Sequence, residues 1–438
     1  MKLITLPIAK ILLIILAVVI HSPIYANTLR INPGTHNLGK VVDSANAGDT
    51  ILLEPGEYEA NLLIDKPMTL QGLQGAIING GGQGDVLRIR AADVTVRNLR
   101  LRNSGSNLTD MNAVIFIEDT AYRTTIHDNK IESTAFGIWL QNTEEAMISN
   151  NEIQGDPAIR SQDRGNGIHL FNTRYTKVIG NRVRETRDGI YIDTSNHNVL
   201  RDNHLHHLRY GIHYMYSYHN EVIGNRTNDT RTGYALMQSK YLTVTGNRTQ
   251  NDKNYGILMN YILYSTISDN TVSDISHGAF MGNNNRAGPG GEGKALFVYN
   301  SQHNDIHHNT FANSGIGIHL TAGSEDNQIY SNNFLRNRTQ VKYVATKTQE
   351  WSKDGRGNYW TDYLGWDLDA NGIGDKPYQP NDGVDHILWK YPTAKILLNS
   401  PAIQTLRWVQ EQFPVLRPPG VKDSYPRMNP ASVAGELQ

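Results

Sequence analysis

A small residue followed by an apolar one recurs along this chain at an almost constant interval. Gly167-Ile168, Gly189-Ile190, Gly211-Ile212, Gly233-Tyr234 and Gly256-Ile257 are spaced by 22, 22, 22 and 23 residues, and Ala295-Leu296 and Gly317-Ile318 resume the spacing of 22. Eleven positions after the small residue stands an apolar one: Val178, Leu200, Val222, Val244, Ile267, Ile306. Fourteen positions after it stands asparagine: Asn181, Asn203, Asn225, Asn247, Asn270, Asn309. Self-similarity at such a period builds a solenoid, because each unit can bury its apolar face only against its neighbours. The units alternate apolar and polar residues and turn on Asn and Gly, and none contains ten helical residues. The pattern predicts an all-β chain folded as a right-handed parallel β-helix, one repeat per coil. Asparagine at a fixed coil position tolerates left-handed backbone, and its amide can bond to the amide above.

Two coils are interrupted. Eight extra residues lie between Asn151 and Gly167, around "GDPAIRSQDRGN", and seventeen between Asn270 and Ala295, around "NNNRAGPGGEGK". Both leave the coil at the same circumferential position, about five coils or roughly 24 Å apart, and loops on one edge of a rigid scaffold are where function concentrates. The segment "HGAFM" (277–281) could add a strand within the second insertion or remain loop. A helix over Lys40–Ala47 is expected to cover the N-terminal end of the coil, which would otherwise be a bare sheet edge.

Alternation places the first and third residues after each glycine inside the coil (Ile168 and Leu170, Ile190 and Ile192, Ile212 and Tyr214, Tyr234 and Leu236) and the second and fourth outside. The outward pairs are His169 and Phe171, Tyr191 and Asp193, His213 and Met215, Ala235 and Met237, and further on His319 and Thr321. Coils in register put Met215 beside Met237 on an open face that also carries His213 and His169. Eight residues after each glycine runs a second column, Tyr175, His197, His219 and Tyr241. The chain has no cysteine, so a soft metal such as Cu(I) would have to be held by methionine and histidine. Met215, Met237 and His213 form the first candidate set, and the neighbours His197 and His219 the second. Exposed aromatics and methionines on a sheet also serve sugar binding or groove filling. Acid–base chemistry on a polysaccharide would need carboxylates on adjacent coils. Asp193 lies between Phe171 and Met215, Asp188 between Asn166 and Tyr210, and Asp202 between Gly180 and Gly224. No acid/base site is assembled, so no enzymatic activity is expected.

Residues 1–26 read as an export signal: Lys2 and Lys10 precede an apolar run to Ile20, and cleavage is expected after Ala26. Without those two lysines, 39 basic residues face 42 acidic ones, which gives no basic face for nucleic acid. Residues 27–104 form the N-terminal cap and first coils, 105–345 the repeat helix, 346–392 an Asp/Gly-rich cap, and 393–438 an amphipathic helix with a proline-rich tail. In the Asp/Gly-rich cap, "DLDANGIGD" supplies Asp367, Asp369 and Asn371 with Gly372 at the turn, the first half of a calcium loop. Tyr378 takes the place of the closing acid, leaving Asp375, Asp382 or Asp385 to complete a shell; a metal-free Asx turn is the alternative. Ser400 caps a helix with Pro401 in its first turn, running to about Phe413. Its apolar Leu406, Trp408 and Phe413, with Pro414, Arg417, Pro418 and Pro419 after it, could dock on the coil end or on a partner.

The signal, the Gly-Ile/Asn coils, "GNYWTDYLGWDLDANGIGDKPY" and "LLNSPAIQTLRWVQEQFPVLRPPGV" together resemble the NosD family of periplasmic β-helix accessory proteins. The stretch from Ile387 to Val421 is the specific part; the coils are shared with other β-helix proteins. The resemblance implies a periplasmic, non-enzymatic role in assembling the copper–sulfide centre of nitrous oxide reductase. The implied partners are an ABC-transporter permease and its ATPase, the reductase, and a copper-donor lipoprotein. It makes the apolar helix and tail a docking element for the permease, but it supplies no copper ligands. Copper delivery is the first reading; a docking scaffold or a factor in the sulfur step is the second, and a polysaccharide lyase or epimerase the third.

Overall fold

A computed structural model of the chain describes residues 26–276, 292–321, 323–344, 347–397, 400–413 and 419–431. Three parallel sheets of 12, 13 and 13 strands run its length, each coil giving one strand to each sheet. Sequential repeats are spatial neighbours in register: Ile190 pairs with Ile212, and Ile212 with Tyr234. The expected inward residues Ile168, Leu170, Ile190, Ile192, Ile212, Tyr214, Tyr234 and Leu236 are all essentially sealed from solvent. The parallel β-helix expected from the period is therefore the fold observed.

The glycine of the repeat is needed for space. A Cβ on Gly211 would sit 2.6 Å from the carbonyl oxygen of Gly233 and 2.5 Å from Cγ2 of Thr227. The same crowding recurs at Gly189 and Gly233, so in these neighbouring coils a side chain at this position would clash with the next coil. The asparagine of the repeat forms a ladder through the interior. Oδ1 of Asn203 accepts from the backbone N–H (2.9 Å) and Nδ2 (3.0 Å) of Asn181, while Nδ2 of Asn203 donates to Val178 O (2.8 Å) and to Asn225 Oδ1 (2.9 Å). The ladder runs through Asn129, Asn151, Asn181, Asn203, Asn225, Asn247, Asn270, Asn309, Asn332 and Asn358. It satisfies polar backbone groups that a corner leaves outside the sheets.

Both interruptions leave the coil after a strand of the same sheet, Glu152–Gly155 in one and Thr271–Ser273 in the other, and both return to the sheet containing Ile168–Phe171 and Lys294–Tyr299. The "HGAFM" segment and most of the second insertion lie outside the described residues. At the N-terminal end the expected helix is Leu38–Ser44 (α1), capped by Asn37 and burying Leu38 and Val42. At the other end lie Gly383–Lys390 (α2) and Pro401–Gln412 (α3). Ser400 caps α3 as expected. The sequence reading missed α2: Asp382 and Asp385 form a reciprocal capping box at its start, and both also pair with Arg407 of α3. Two of the three carboxylates considered for closing a calcium shell, Asp382 and Asp385, are thus helix caps, because bonds to the free amides of a helix start satisfy them locally.

After α3 the chain returns to the coil. Val421–Lys422 pairs with Gln349–Glu350, and Asp423 reaches the last rung of the asparagine ladder. Further on, Ala431 exchanges two hydrogen bonds with Asn333. The helical pair is an excursion tied down on both sides, and the segment after it is part of the C-terminal cap.

Candidate functional site

The longest strands belong to the twelve-stranded sheet, and their outward residues form one continuous ladder: Phe116, Trp139, His169, Tyr191, His213, Ala235, Leu258, Phe297 and His319 stand opposite one another in turn. Sequence alternation placed the histidines on an open face. The structure corrects this: His169 is only 6% exposed and His213 9%. Bulky rings above and below cover each other, with centroids 3.9 Å apart for Trp139 and His169, 4.6 Å for His169 and Tyr191, and 4.5 Å for Tyr191 and His213. Asn166, at the end of the first insertion, adds a 3.2 Å contact to Nδ1 of His169. Burial pushes the His169 imidazole down to about 3, so it is neutral at any physiological pH.

His213 has a fixed orientation. Its Nδ1 lies 2.9 Å from Oδ2 of Asp188, which is 1% exposed, and Arg209 grips the same carboxylate with bonds of 2.8 and 2.6 Å. Burial works against the Asp188 charge, but the bonds from His213 and Arg209 outweigh it and hold the carboxyl below its ordinary value. An ionised carboxylate only accepts, so Nδ1 of His213 carries the hydrogen and a neutral ring keeps its lone pair on Nε2. A carboxylate that orients an imidazole in this way is the usual outer support of a metal-ligating histidine. Asp188 does not stand out in its column of the sequence, because its partners, Arg209 and His213, are not acids and come from the next coil.

Met215 is two residues along the same strand and so shares the face of His213. It stands opposite Asp193 on one side, and the next rung after Tyr214–Leu236 places Met237 on the other. Both methionines are half-buried. His213 itself faces Ala235 on the next coil, so no ring covers it on that side, while Tyr191 and Tyr210 lie against its imidazole at 4.5 and 5.0 Å between centroids. The structure thus brings His213, Met215 and Met237 onto one patch of two adjacent coils. His169 is separated from it by the whole coil of Tyr191.

His197 and His219 meet, but as a stack. Their rings are 5.1 Å apart and 3° from parallel, inside an exposed column running Tyr175, His197, His219, Tyr241, Tyr264, His303. Each of these residues has φ between 52° and 59°, the left-handed turn of its coil. An imidazole ligates in the plane of its ring, and an ion in the plane of one such ring lies out of the plane of the other. In the calcium-like loop, Asp367 accepts from the amides of Asn371 and Gly372, Asp369 from Asn371, and Asp375 from Leu368. The acids close an Asx-turn on their own backbone, and among the described residues no three His, Asp or Glu side chains converge as a metal-binding group.

On α3, Leu406 is half-buried, while Trp408 is 58% exposed; Phe413, just after the helix, is 56% exposed and Pro419 is exposed. Pro414, Arg417 and Pro418 lie outside the described residues. Ile387 of α2 and Tyr391 just after it are exposed as well, and neither was among the docking residues expected from the sequence. No helix among the described residues is long and apolar enough to cross a membrane.

The family described as periplasmic copper-binding protein (NosD) matches residues 149–365. The "probable ABC transporter binding protein NosD" of Pseudomonas aeruginosa strain PAO1 is 53% identical over 376 residues, 86% of this chain and 87% of that protein. The chain belongs to the NosD family. The NosD protein of Stutzerimonas stutzeri, with the same description, is 51% identical over 86% of each chain. Solved structures share the NosD fold at far lower identity. The A-module of the Azotobacter vinelandii mannuronan C-5 epimerase AlgE6 superposes with a TM-score of 0.56 at 14% identity, covering 73% of this chain and 92% of that one. The Dettilon tailspike protein does so with 0.55 at 14% identity, covering 75% and 70%. At such identity the likeness is one of fold, and fold does not carry function.

Proposed function

We propose that this chain is a periplasmic, non-enzymatic accessory protein that accepts Cu(I) and delivers it during assembly of the copper–sulfide centre of nitrous oxide reductase, together with an ABC ATPase and its permease. One observation carries the reading: an imidazole oriented by a buried carboxylate shares a sheet face with the thioether of Met215 on its own strand and that of Met237 on the next coil. Thioether and imidazole are soft and borderline donors that suit Cu(I) without competing for harder ions. A site without thiolate holds the ion loosely enough to pass it on. The family's description as copper-binding and its relatives' names as ABC transporter binding proteins support the same reading. Asp188 acts as a positioning residue, keeping Nε2 of His213 toward the metal.

Anaerobic titration of the exported chain with Cu(I) against a competing chelator tests this, beside the Met215→Leu, Met237→Leu variant. Sulfur-ligated copper that is lost in the variant is the expected result. Unchanged sulfur ligation would sink the site.

The exposed apolar surface of Ile387, Tyr391, Trp408 and Phe413 favours a second role in the same protein, docking on the permease. If no copper bound, that surface would leave a scaffold that joins reductase to transporter.

A further inference from the structure

The densest gathering of imidazoles outside the His213 patch lies at the corner where strand His204–His206 turns toward strand Tyr210–Met215. His206 and His207 are adjacent in sequence, yet their rings converge: the two Nδ1 atoms are 2.9 Å apart, with the ring planes at 80°. The backbone brings this about. His207 has φ of 56°, and the left-handed turn swings its side chain back toward its predecessor. The same corner one coil later holds Asn228 and Asp229, where Nδ2 donates to Oδ2 at 2.6 Å. There a donor meets an acceptor. In the histidine coil two nitrogens of the same kind meet, and each neutral ring offers one N–H and one lone pair. A single proton between them satisfies both. So does one monovalent soft ion that takes two lone pairs along a line, and Cu(I) is such an ion.

We propose that His206 and His207 form a second Cu(I) site, two-coordinate through Nδ1 of each ring, separate from the methionine patch. The proposal rests on the reading that this chain handles copper. The nitrogens have to part from 2.9 Å to about 4 Å, twice a metal–imidazole bond. His207 is exposed and His206 half-buried, so side-chain rotation supplies that movement without any change of backbone. His204 does not complete a third position: its Nδ1 is 3.3 Å from an Arg182 nitrogen and its Nε2 is 2.9 Å from Oδ1 of Asn228. His307 and His308 converge similarly, at 2.7 Å. Tyr330 stacks on His307, and His307 and His308 are both half-buried, so that pair lacks the exposed ring that lets His207 turn away. The His206–His207 corner is in the same coil as His213 and Met215. A nitrogen-only, solvent-facing site exchanges ligands readily, which suits a point of entry or exit for the ion.

The test is an anaerobic Cu(I) titration of the exported chain with bicinchoninate as competitor, read together with X-ray absorption at the copper edge. His206→Asn with His207→Asp installs the pair that the next coil already carries; His207→Asn alone, which suits the left-handed turn, is the second variant should the double one melt early. The expected result is two ions per wild-type chain, with the nitrogen-only ion absent in the histidine variants and the sulfur-bound ion absent in Met215→Leu, Met237→Leu. One sulfur-bound ion, indifferent to the histidine variants, would overturn this proposal and leave the methionine site standing. One nitrogen-only ion, lost in the histidine variants and kept in the methionine variant, would uphold it and overturn the methionine site. No binding at all would overturn both.

Discussion

The carboxylate of Asp423 ends the asparagine ladder: its Oδ2 accepts from the backbone N–H of Asn358 at 2.7 Å and from Nε1 of Trp360 at 2.8 Å, across 65 and 63 residues of sequence. Its Oδ1 takes the amide of Tyr425 at 3.1 Å. A carboxylate in the rung where asparagine would otherwise stand stops the ladder, because it offers no amide hydrogen to a further coil.

Stability should carry a signature of this residue. Burial pushes the Asp423 carboxyl up from 3.8 to about 6, against the bonds from Asn358, Trp360 and Tyr425 that favour the charge. The folded state then binds a proton more tightly than the unfolded state, so stability attributable to this group falls as pH rises from about 4 to about 6 and is level above that. Melting of the wild type and of Asp423→Asn across that window checks it. The gap between the two should shift against the wild type with rising pH, by at most about 3 kcal/mol. A gap that is constant with pH would refute the assignment.

Truncation after Tyr391 would remove Asp423 and Ala431 along with α3, so it should lower the melting temperature as well as any binding to the permease. Trp408→Ser and Phe413→Ser should separate the two effects. Both side chains are more than half exposed, so each change should move stability by no more than about 0.5 kcal/mol. Co-purification with the permease should nevertheless fall. Intact binding in both point variants would move the docking surface elsewhere.

Asn225 sits mid-ladder, where Oδ1 accepts from two groups of Asn203 and Nδ2 donates to Leu200 O, Ile223 O and Asn247 Oδ1. Asn225→Ala should leave several buried groups unpaired and cost about 3 kcal/mol or more, read by denaturant unfolding. Asn225→Asp should cost at least as much near neutral pH, since it cannot donate to Leu200.

His197→Ala and His219→Ala should leave copper stoichiometry unchanged, because parallel rings 5.1 Å apart cannot share an ion. Loss of one ion in either variant would show that the stack opens to bind metal.

The period of 22, the inward residues and the asparagine ladder were all legible in the sequence, because a parallel coil repeats the same local demand at every turn. Alternation fixes which residues point inward, and the crowding at Gly211 and the bonding of Asn203 are each set by the identical position one coil away. It also placed His213, Met215 and Met237 on a common patch. What it could not give was depth. Alternation says that His169 and His213 point outward but not that flanking rings bury them, since that depends on side chains from other coils. Nor could it join Asp188 to Arg209 and His213, 21 and 25 residues away, or turn His207 back on His206, which took a left-handed φ. The return of the tail was equally hidden. Asp423 reads as one acid in a proline-rich stretch, and only the tertiary path, out through α2 and α3 and back, delivers it to Asn358. Contacts between equivalent positions one repeat apart are written in the pattern; contacts between non-equivalent positions, and those that depend on where the pattern stops, are decided by the folded structure.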